Sequence, residues 1–378
     1  MNIGIVCYPT YGGSGVLATE LGIALSKKDH EIHFISSSLP ARLDAYYSNI
    51  HFHEVRNMRY PLFEYTPYET ALASKIVNVM TYEKLDILHV HYAVPHASAA
   101  YMTKQILRSK GINLPVITTL HGTDITLVGN DPSYAPVVEF SINMSDGVTA
   151  VSKSLKKDTL YRFNIEKEVK VIDNFIDQTK FQRTPNADLK SRYGEPDDIF
   201  IVHVSNFRPV KRVMDVIKSW EIVNAANPKV KLIMIGDGPE RQKTEEYCRE
   251  GNCGSIHFLG KRDGIGKFLS ICDVFLLPSE QESFGLAALE AMACGVPVIS
   301  SNRGGLPEVN IDGQTGFTYN IGDVNGMAEG IQTIIKDKAT WSEFSARCIK
   351  HSSKYDINNI VPQYEKYYQQ IIKESRVV

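Results

Sequence analysis

The feature that most constrains this chain is a rhythm: short apolar runs rich in Val and Ile alternate with amphipathic stretches almost from end to end. Ile3–Val6, Ile32–Ile35, Ile87–Val90, Val116–Leu120 and Val148–Val151 read as strands, while Leu17, Leu21, Ala24 and Leu25 recur at helical spacing, as do Ala100, Lys104 and Leu107. Apolar strands separated by helices call for a parallel sheet covered on both faces, because a crossover helix is what returns the chain to lay the next strand beside the last. The rhythm pauses over Thr184–Asp198, a polar interval holding Pro185, Gly194 and Pro196, and restarts with Ile199–Val204, Val230–Ile235, Ile256–Leu259, Val274–Leu277 and Val296–Ile299. At 378 residues the chain is also too long for one ordinary core. The expected fold class is α/β: an N-terminal Rossmann-like doubly wound domain over 1–184, a linker over 185–198 and a second such domain over 199–355. The segment 356–378, helical in pattern from Ile357 to Ile372 with Tyr364, Tyr367, Tyr368 and Ile371, is expected to cross back to the first domain.

Composition removes several classes of function. Apolar residues make up 43% and charged residues 22%, with a formal net charge of -2, which fits a soluble globular chain and gives no reason to expect a nucleic-acid or anionic-membrane partner. The six cysteines show no C-x-x-C spacing, the start runs straight into a strand pattern, and no apolar run approaches the roughly 18 residues of a membrane span. A reducing cytoplasm is the expected location.

Open parallel sheets bind ligands outside the carboxyl ends of their strands, and each motif here follows a strand. The densest runs from Pro278 through Glu282, Ser283, Phe284, Gly285, Leu286 and Glu290 to Pro297, turning from a strand into a helix that is expected to start near Phe284. The free N–H groups of a helix start suit phosphate or hydroxyl oxygens, Gly285 permits close backbone approach, and Glu290 could accept both hydroxyls of a ribose. Two glutamates eight apart would otherwise be ordinary surface charge. Upstream, Val202-His-Val-Ser-Asn206-Phe-Arg208-Pro-Val-Lys211-Arg212 supplies cations for a diphosphate, with Arg212 read as solvated or helix-capping. In the first half, Pro9-Thr-Tyr-Gly12-Gly13-Ser14-Gly15 opens the first helix but lacks the third glycine of a dinucleotide fingerprint, which argues against an NAD-dependent oxidoreductase. Thr118-Thr119-Leu-His121-Gly-Thr-Asp124 follows another strand. His89, His91 and His96 suggest a metal set, yet no nearby Cys or carboxylate completes it; His89 reads as a core histidine and no metal is expected.

Taken together, these strings resemble the retaining GT-B glycosyltransferases of family 4, whose donor segment carries Glu-x7-Glu. Val171-Ile-Asp-Asn174-Phe-Ile-Asp177 with Phe181 is similar to the family's interdomain V-I-P-N-G-V-D-x3-F, with Asp173 and Phe175 in place of Pro and Gly. Ile235-Gly-Asp-Gly238-Pro, Leu259-Gly260, Gly304-Gly305-Leu-Pro-Glu308, Asp312-Gly-Gln-Thr-Gly316-Phe and Gly322-Asp323 match further family strings in order, whereas Ser205-Asn206 stands where the family has Gly-Arg. The resemblance implies two domains facing a central cleft and donor contacts from Gly13, Ser14, Asn206, Arg208, Lys211, Gly260, Arg262, Glu282, Ser283, Phe284, Gly285, Leu286 and Glu290. It implies acceptor contacts from Ser14, Tyr92, Thr119, His121, Asn206 and Arg208, and catalytic roles for His121, Glu282, Arg208 and Lys211.

Four segments narrow the resemblance within the family: Tyr8-Pro-Thr-Tyr-Gly-Gly-Ser-Gly-Val, Arg59-Tyr-Pro-Leu-Phe-Glu-Tyr-Thr-Pro-Tyr, Val90-His-Tyr92-Ala-Val-Pro-His96-Ala and Asn206-Phe-Arg-Pro-Val-Lys-Arg. They resemble members that move N-acetylglucosamine from UDP-GlcNAc to the hydroxyl of L-malate, the first step of bacillithiol biosynthesis. The implied enzyme is retaining and metal-independent, with UDP-GlcNAc as co-substrate and no cofactor. Other readings stay open: a family 4 enzyme with another sugar nucleotide or a carbohydrate or lipid acceptor, and a noncatalytic sugar-nucleotide-binding protein. A membrane acceptor would favour a Lys-rich first helix, and Ser14–Lys28 has only Lys27 and Lys28. The oligomeric state is open, a homodimer included.

Overall fold

A computed structural model describes residues 1–10, 12–43, 45–56, 66–251 and 253–376. Tyr11 and residues 59–65 of the motifs above lie outside the described residues. The chain forms two compact units, Met1–Asn174 with Ile357–Val378, and Phe175–Asp356.

The first unit is built on seven parallel strands: β1 (Asn2–Val6), β2 (Glu31–Ser36), β3 (Ile50–Glu54), β4 (Ile87–His91), β5 (Val116–Leu120), β6 (Gly147–Ala150) and β7 (Val169–Val171). Their order is β3-β2-β1-β4-β5-β6-β7, so the direction of winding reverses between β1 and β4. Ile3 lies between Ile32 and Ile87, an apolar register that holds because helices cover both faces. From the helix Tyr68–Glu83, Leu72, Ile76 and Val79 pack on Val6, Ile35, Leu88 and Val90. Each such side chain contributes about 1.5–3 kcal/mol when fully buried.

The second unit repeats the plan with β8 (Ile199–Ser205), β9 (Val230–Gly236), β10 (Ile256–Gly260), β11 (Val274–Leu277), β12 (Val298–Ser301) and β13 (Gly316–Tyr319), ordered β10-β9-β8-β11-β12-β13. Val216, Trp220 and Val223 of the helix Val213–Ala226 join Leu232, Met234, Leu276 and Ile331 in its core. Both units are therefore doubly wound Rossmann-like sheets.

Three strands carry no signal in the sequence pattern, and all are at sheet edges: β3, β7 and β13. An edge strand buries less, so it lacks the continuous apolar run of a central one; β3 reads Ile-His-Phe-His-Glu and is largely exposed.

The division between units also differs from the expected linker at 185–198. The chain passes from one unit to the other at Asn174/Phe175, inside Val171–Asp177, and returns at Asp356/Ile357. The polar interval belongs to the second unit because its groups are anchored there: Thr184 N–H donates to Ser270 Oγ at 3.2 Å, and His257 Nε2 donates to the Tyr193 carbonyl at 2.8 Å. Polarity and proline content mark surface segments generally, and here they mark a surface connection within a domain.

The last helix, Ile357–Ser375, packs on the first unit. Tyr368 is fully buried with its hydroxyl 2.7 Å from His89 Nδ1. Tyr367 Oη accepts from the Val148 N–H at 3.1 Å, and Gly147 is required beneath it, since a Cβ there would lie 2.8 Å from that oxygen. Glu365 closes the helix against Lys28 at 2.6 Å and His30 at 2.9 Å. Among the described residues no helix is long and apolar enough to cross a membrane.

Candidate functional site

In the first unit, side chains gather beyond the carboxyl ends of β1, β4 and β5, at the point where strand order reverses. The loop after β1 turns tightly into the helix Gly13–Ser26; a Cβ at Gly15 would lie 2.5 Å from the Thr10 carbonyl and 2.6 Å from that of Tyr8. This close turn lets Ser14 Oγ meet the Tyr92 hydroxyl at 2.6 Å, joining the start of the helix to the end of β4. Tyr92 takes the left-handed region at φ 84, which directs the chain away from the strand just after His91. His121, at the end of β5, sits with its ring 5.1 Å from that of Tyr92 and with Nε2 2.8 Å from His91 Nδ1.

The Asp124 carboxylate ties these loops together, accepting from the N–H groups of Ala93 at 3.1 Å, His121 at 3.2 Å and Gly122 at 2.8 Å. Burial pushes this carboxyl up to about 6 even though the three N–H groups favour its charged form. Burial, with His96 nearby, pushes His121 down to about 3, so the ring is neutral near pH 7, with Nε2 engaged by His91. Burial likewise pushes the Tyr92 phenol up to about 12, which keeps it a hydrogen-bonding hydroxyl. Around the Asp124 carboxylate, Ser14, Tyr92 and His121 present uncharged donors and acceptors suited to hydroxyl groups.

In the second unit, the equivalent reversal lies between β8 and β11. The ends of β8 and β9 are pressed together: Gly236 adopts φ +129, and a Cβ on Gly238 would lie 2.0 Å from the Asn206 carbonyl. Asn206 and Arg208 are thereby exposed on the loop, while Phe207 is fully buried. His203 supports the floor, with Nδ1 donating to the Leu276 carbonyl at 2.8 Å and Nε2 2.7 Å from Ser205 Oγ. After β11, Glu282 receives Lys211 Nζ in a direct ion pair and Ser279 Oγ at 3.0 Å. Its backbone carbonyl accepts the Gly305 N–H at 2.8 Å. Gly304, at φ +60, has room only as glycine, because a Cβ would lie 2.0 Å from that same carbonyl. A glycine pair thus holds the Glu282 loop against the start of the helix Leu306–Val309.

The structure brings together Ser14, Tyr92 and His121 in the first unit, and Lys211 with Glu282 in the second. Gly13 is exposed at the start of its helix. Three expectations change. The helix after Glu282 runs Leu286–Ala293 and begins after Gly285 at φ +98, two residues later than read, because the left-handed turn has to finish first. Phe284 is 3% exposed and packs edge-on against Tyr355, so only its backbone is available to a donor. Thr119 is buried, with its hydroxyl 2.6 Å from both His89 Nε2 and Thr149 Oγ1, and supports the site from behind. Gly260 ends the edge strand β10 and Arg262 lies just after it, with β9 between that strand and β8. Ser283 and Leu286 are half-buried beside Gly285, as is Glu290 within its helix. Arg212 pairs with Asp215 at 2.5 Å and Glu280 at 2.9 Å and starts the next helix, a local structural role. His89 is a core histidine bonded on both sides. The structure adds Asp124 and His91 to the first unit's group; an Asp three residues after a histidine at a strand end is the signal for a loop-closing carboxylate.

Comparison with known proteins accords with this fold. The model of Glycosyltransferase Family 4 matches residues 11–180, and that of Glycosyl transferases group 1 matches residues 186–355. The N-acetyl-alpha-D-glucosaminyl L-malate synthase of Bacillus anthracis is 43% identical over 380 residues, covering 100% of this chain and 98% of that protein. Among solved structures, Anabaena HepE in complex with UDP and glucose superposes with a TM-score of 0.81 at 22% identity, covering 98% of this chain and 99% of that one. A sucrose-phosphate synthase from Thermosynechococcus elongatus gives 0.79 at 21% identity, over 99% and 100% of the two chains. Two doubly wound units, matched in order by the two family models and spanned end to end by one relative, make this chain a GT-B glycosyltransferase of family 4.

Proposed function

We propose that the protein transfers N-acetylglucosamine from UDP-GlcNAc to the hydroxyl of L-malate with retention, giving GlcNAc-α-malate and UDP. The observation that carries this reading is the 43% identity to an N-acetyl-alpha-D-glucosaminyl L-malate synthase, because it runs through both units and so covers donor and acceptor halves alike. The second unit holds the donor: Glu290 accepts the ribose hydroxyls, Glu282 and the Gly304–Gly305 turn receive the sugar and diphosphate, and Lys211 and Arg208 neutralise the departing phosphate. The first unit selects the acceptor, with Ser14, Tyr92 and His121 at its reversal point.

In the reaction, the bond from the anomeric carbon to the phosphate oxygen breaks while the malate hydroxyl oxygen bonds that carbon on the same face. The hydroxyl proton passes to the departing phosphate oxygen, so no protein carboxylate attacks. Neutral His121 donates a ring N–H to a sugar hydroxyl. The cationic pair of Lys211 and Arg208 supports a metal-independent reaction. Six free cysteines, five of them buried, support a reducing cytoplasmic setting.

The test is to incubate the enzyme and UDP-GlcNAc, in EDTA, with a panel of hydroxy acids and sugars, and to identify the product by mass and anomeric NMR. An α-linked GlcNAc-malate is expected. A β-linked product, loss of activity in EDTA, transfer to sugars in preference to malate, or absence of UDP release on adding malate would each overturn the corresponding part of the reading.

A further inference from the structure

We propose that His33, His53 and Glu83 form a binding site for one divalent transition-metal ion in the first unit, separate from the transfer site. Each residue offers one ligand atom, and the three atoms lie within 4.8 Å of one another. They come from three elements, β2, β3 and the last turn of the helix Tyr68–Glu83, so the fold itself creates the cluster. The parallel register places Ile35 beside His53 and His33 beside His51, which aligns the rings along one face of the pair.

His33 Nδ1 and His53 Nε2 are 3.0 Å apart. Two imidazole nitrogens bound to a tetrahedral ion at 2.0–2.1 Å stand about 3.3 Å apart, so a shift of a few tenths of an ångström admits the metal. Without metal the two rings share one hydrogen bond; with metal, one ring moves its proton to its other nitrogen and both lone pairs face the ion. Glu83 is exposed, which supplies both an anionic third ligand and a solvent path for the ion and its remaining water. Alongside, His51 stacks on His33 at 4.8 Å and meets Glu31 at 3.0 Å, a charged neighbour that favours a cation.

The site is remote from the chemistry. Asn2 Nδ2 donates to the Glu83 carbonyl at 3.0 Å, which fixes this end of the helix beside the amino end of β1, whereas Ser14, Tyr92 and His121 lie beyond the carboxyl ends of the strands. Two imidazoles and one carboxylate match zinc-class ions. Bound metal would staple the edge strand β3, which few apolar contacts hold, to β2 and the helix.

The experiment uses the full chain without a histidine tag, stripped with EDTA and dialysed. Co2+ is titrated while its visible d–d absorption is recorded, and Zn2+ binding is measured by calorimetry. One equivalent of each is expected to bind, with the intense Co2+ absorption of a four- or five-coordinate site. Glu83→Gln, at an exposed position, is expected to weaken Co2+ binding at least tenfold while leaving the metal-free melting temperature unchanged, and His53→Gln, at a half-buried position, is expected to weaken Co2+ binding by at least as much. Glu290→Ala should leave it untouched. Failure of the wild-type chain to bind one equivalent, or binding by both variants as tight as that of the wild-type chain, would overturn the proposal. Transfer activity in EDTA is read separately and bears only on the transfer mechanism.

Discussion

Replacing Lys211 by alanine separates two roles of the Lys211–Glu282 pair, because its effects on stability and on turnover should differ. The two side chains are 18% and 16% exposed and in direct contact. At an effective dielectric near 20, opposite charges this close attract by about 4 kcal/mol, most of which is offset by the cost of removing both from water. Glu282 retains Ser279 Oγ at 3.0 Å when the lysine is lost and can still reach solvent. The stability loss is therefore expected at about 1–3 kcal/mol, below the range for a fully buried broken pair. Turnover should suffer more: removing one group that stabilises developing negative charge costs about 10²–10³ in rate. The double variant Lys211→Ala/Glu282→Gln removes both charges and should regain much of the stability while remaining slow. UDP release gives kcat and KM, and urea melts give stability. A Lys211→Ala enzyme within threefold of wild-type kcat/KM would refute the phosphate role. Recovery of turnover in the double variant would show that Lys211 serves only to neutralise Glu282.

Three further outcomes follow from the same geometry. Glu290→Ala should weaken UDP binding by calorimetry about tenfold or more, the worth of hydrogen bonds to a charged group, with the melting temperature preserved; unchanged affinity would remove it from the ribose. Tyr368→Phe leaves buried His89 Nδ1 without its partner and should lower stability in urea by about 1–3 kcal/mol, with UDP affinity unaffected. Acid should destabilise the first unit: His89 and His121 are pushed down to about 3 and His96 to about 4, chiefly by burial, whereas the unfolded rings titrate near 6.5. Their unfolded forms bind more protons below about pH 6.5, so stability is full above that pH and falls toward pH 4, by up to about 1.4 kcal/mol per pH unit for each ring. Asp124, raised to about 6, has the opposite sign between its unfolded value of 3.8 and 6, but one carboxyl against three rings leaves the acid loss dominant. An unchanged urea midpoint between pH 7.5 and 5.5 would contradict this.

The central strands were readable because burial on both faces forces unbroken Val and Ile runs; β4 and β11 are fully buried along their whole length. The edge strands were not, since β3 has only one neighbour and alternates histidine with apolar residues. Site residues divided in the same way. Glu282, Gly285 and Gly304 sit in strings whose spacing carries information, and their glycines are dictated by left-handed backbone and by close approach to a carbonyl. Thr119 and Phe284 lie in equally informative strings, yet one hydroxyl is turned inward to His89 and the other ring into the core beside Tyr355. A string places a residue near a strand end without saying which way its side chain faces.

By itself, then, the sequence determined the two-sheet architecture, the family and the loops that carry chemistry, because hydrophobic periodicity and glycine-bearing turns are local properties of the chain. Only the tertiary structure decided that the polar interval Thr184–Asp198 belongs to the second unit, that His89 is held by Tyr368 from a helix 279 residues away, and that His33, His53 and Glu83 converge. Those facts depend on which elements become neighbours, and sheet order and side-chain direction are set by long-range packing that no local pattern encodes.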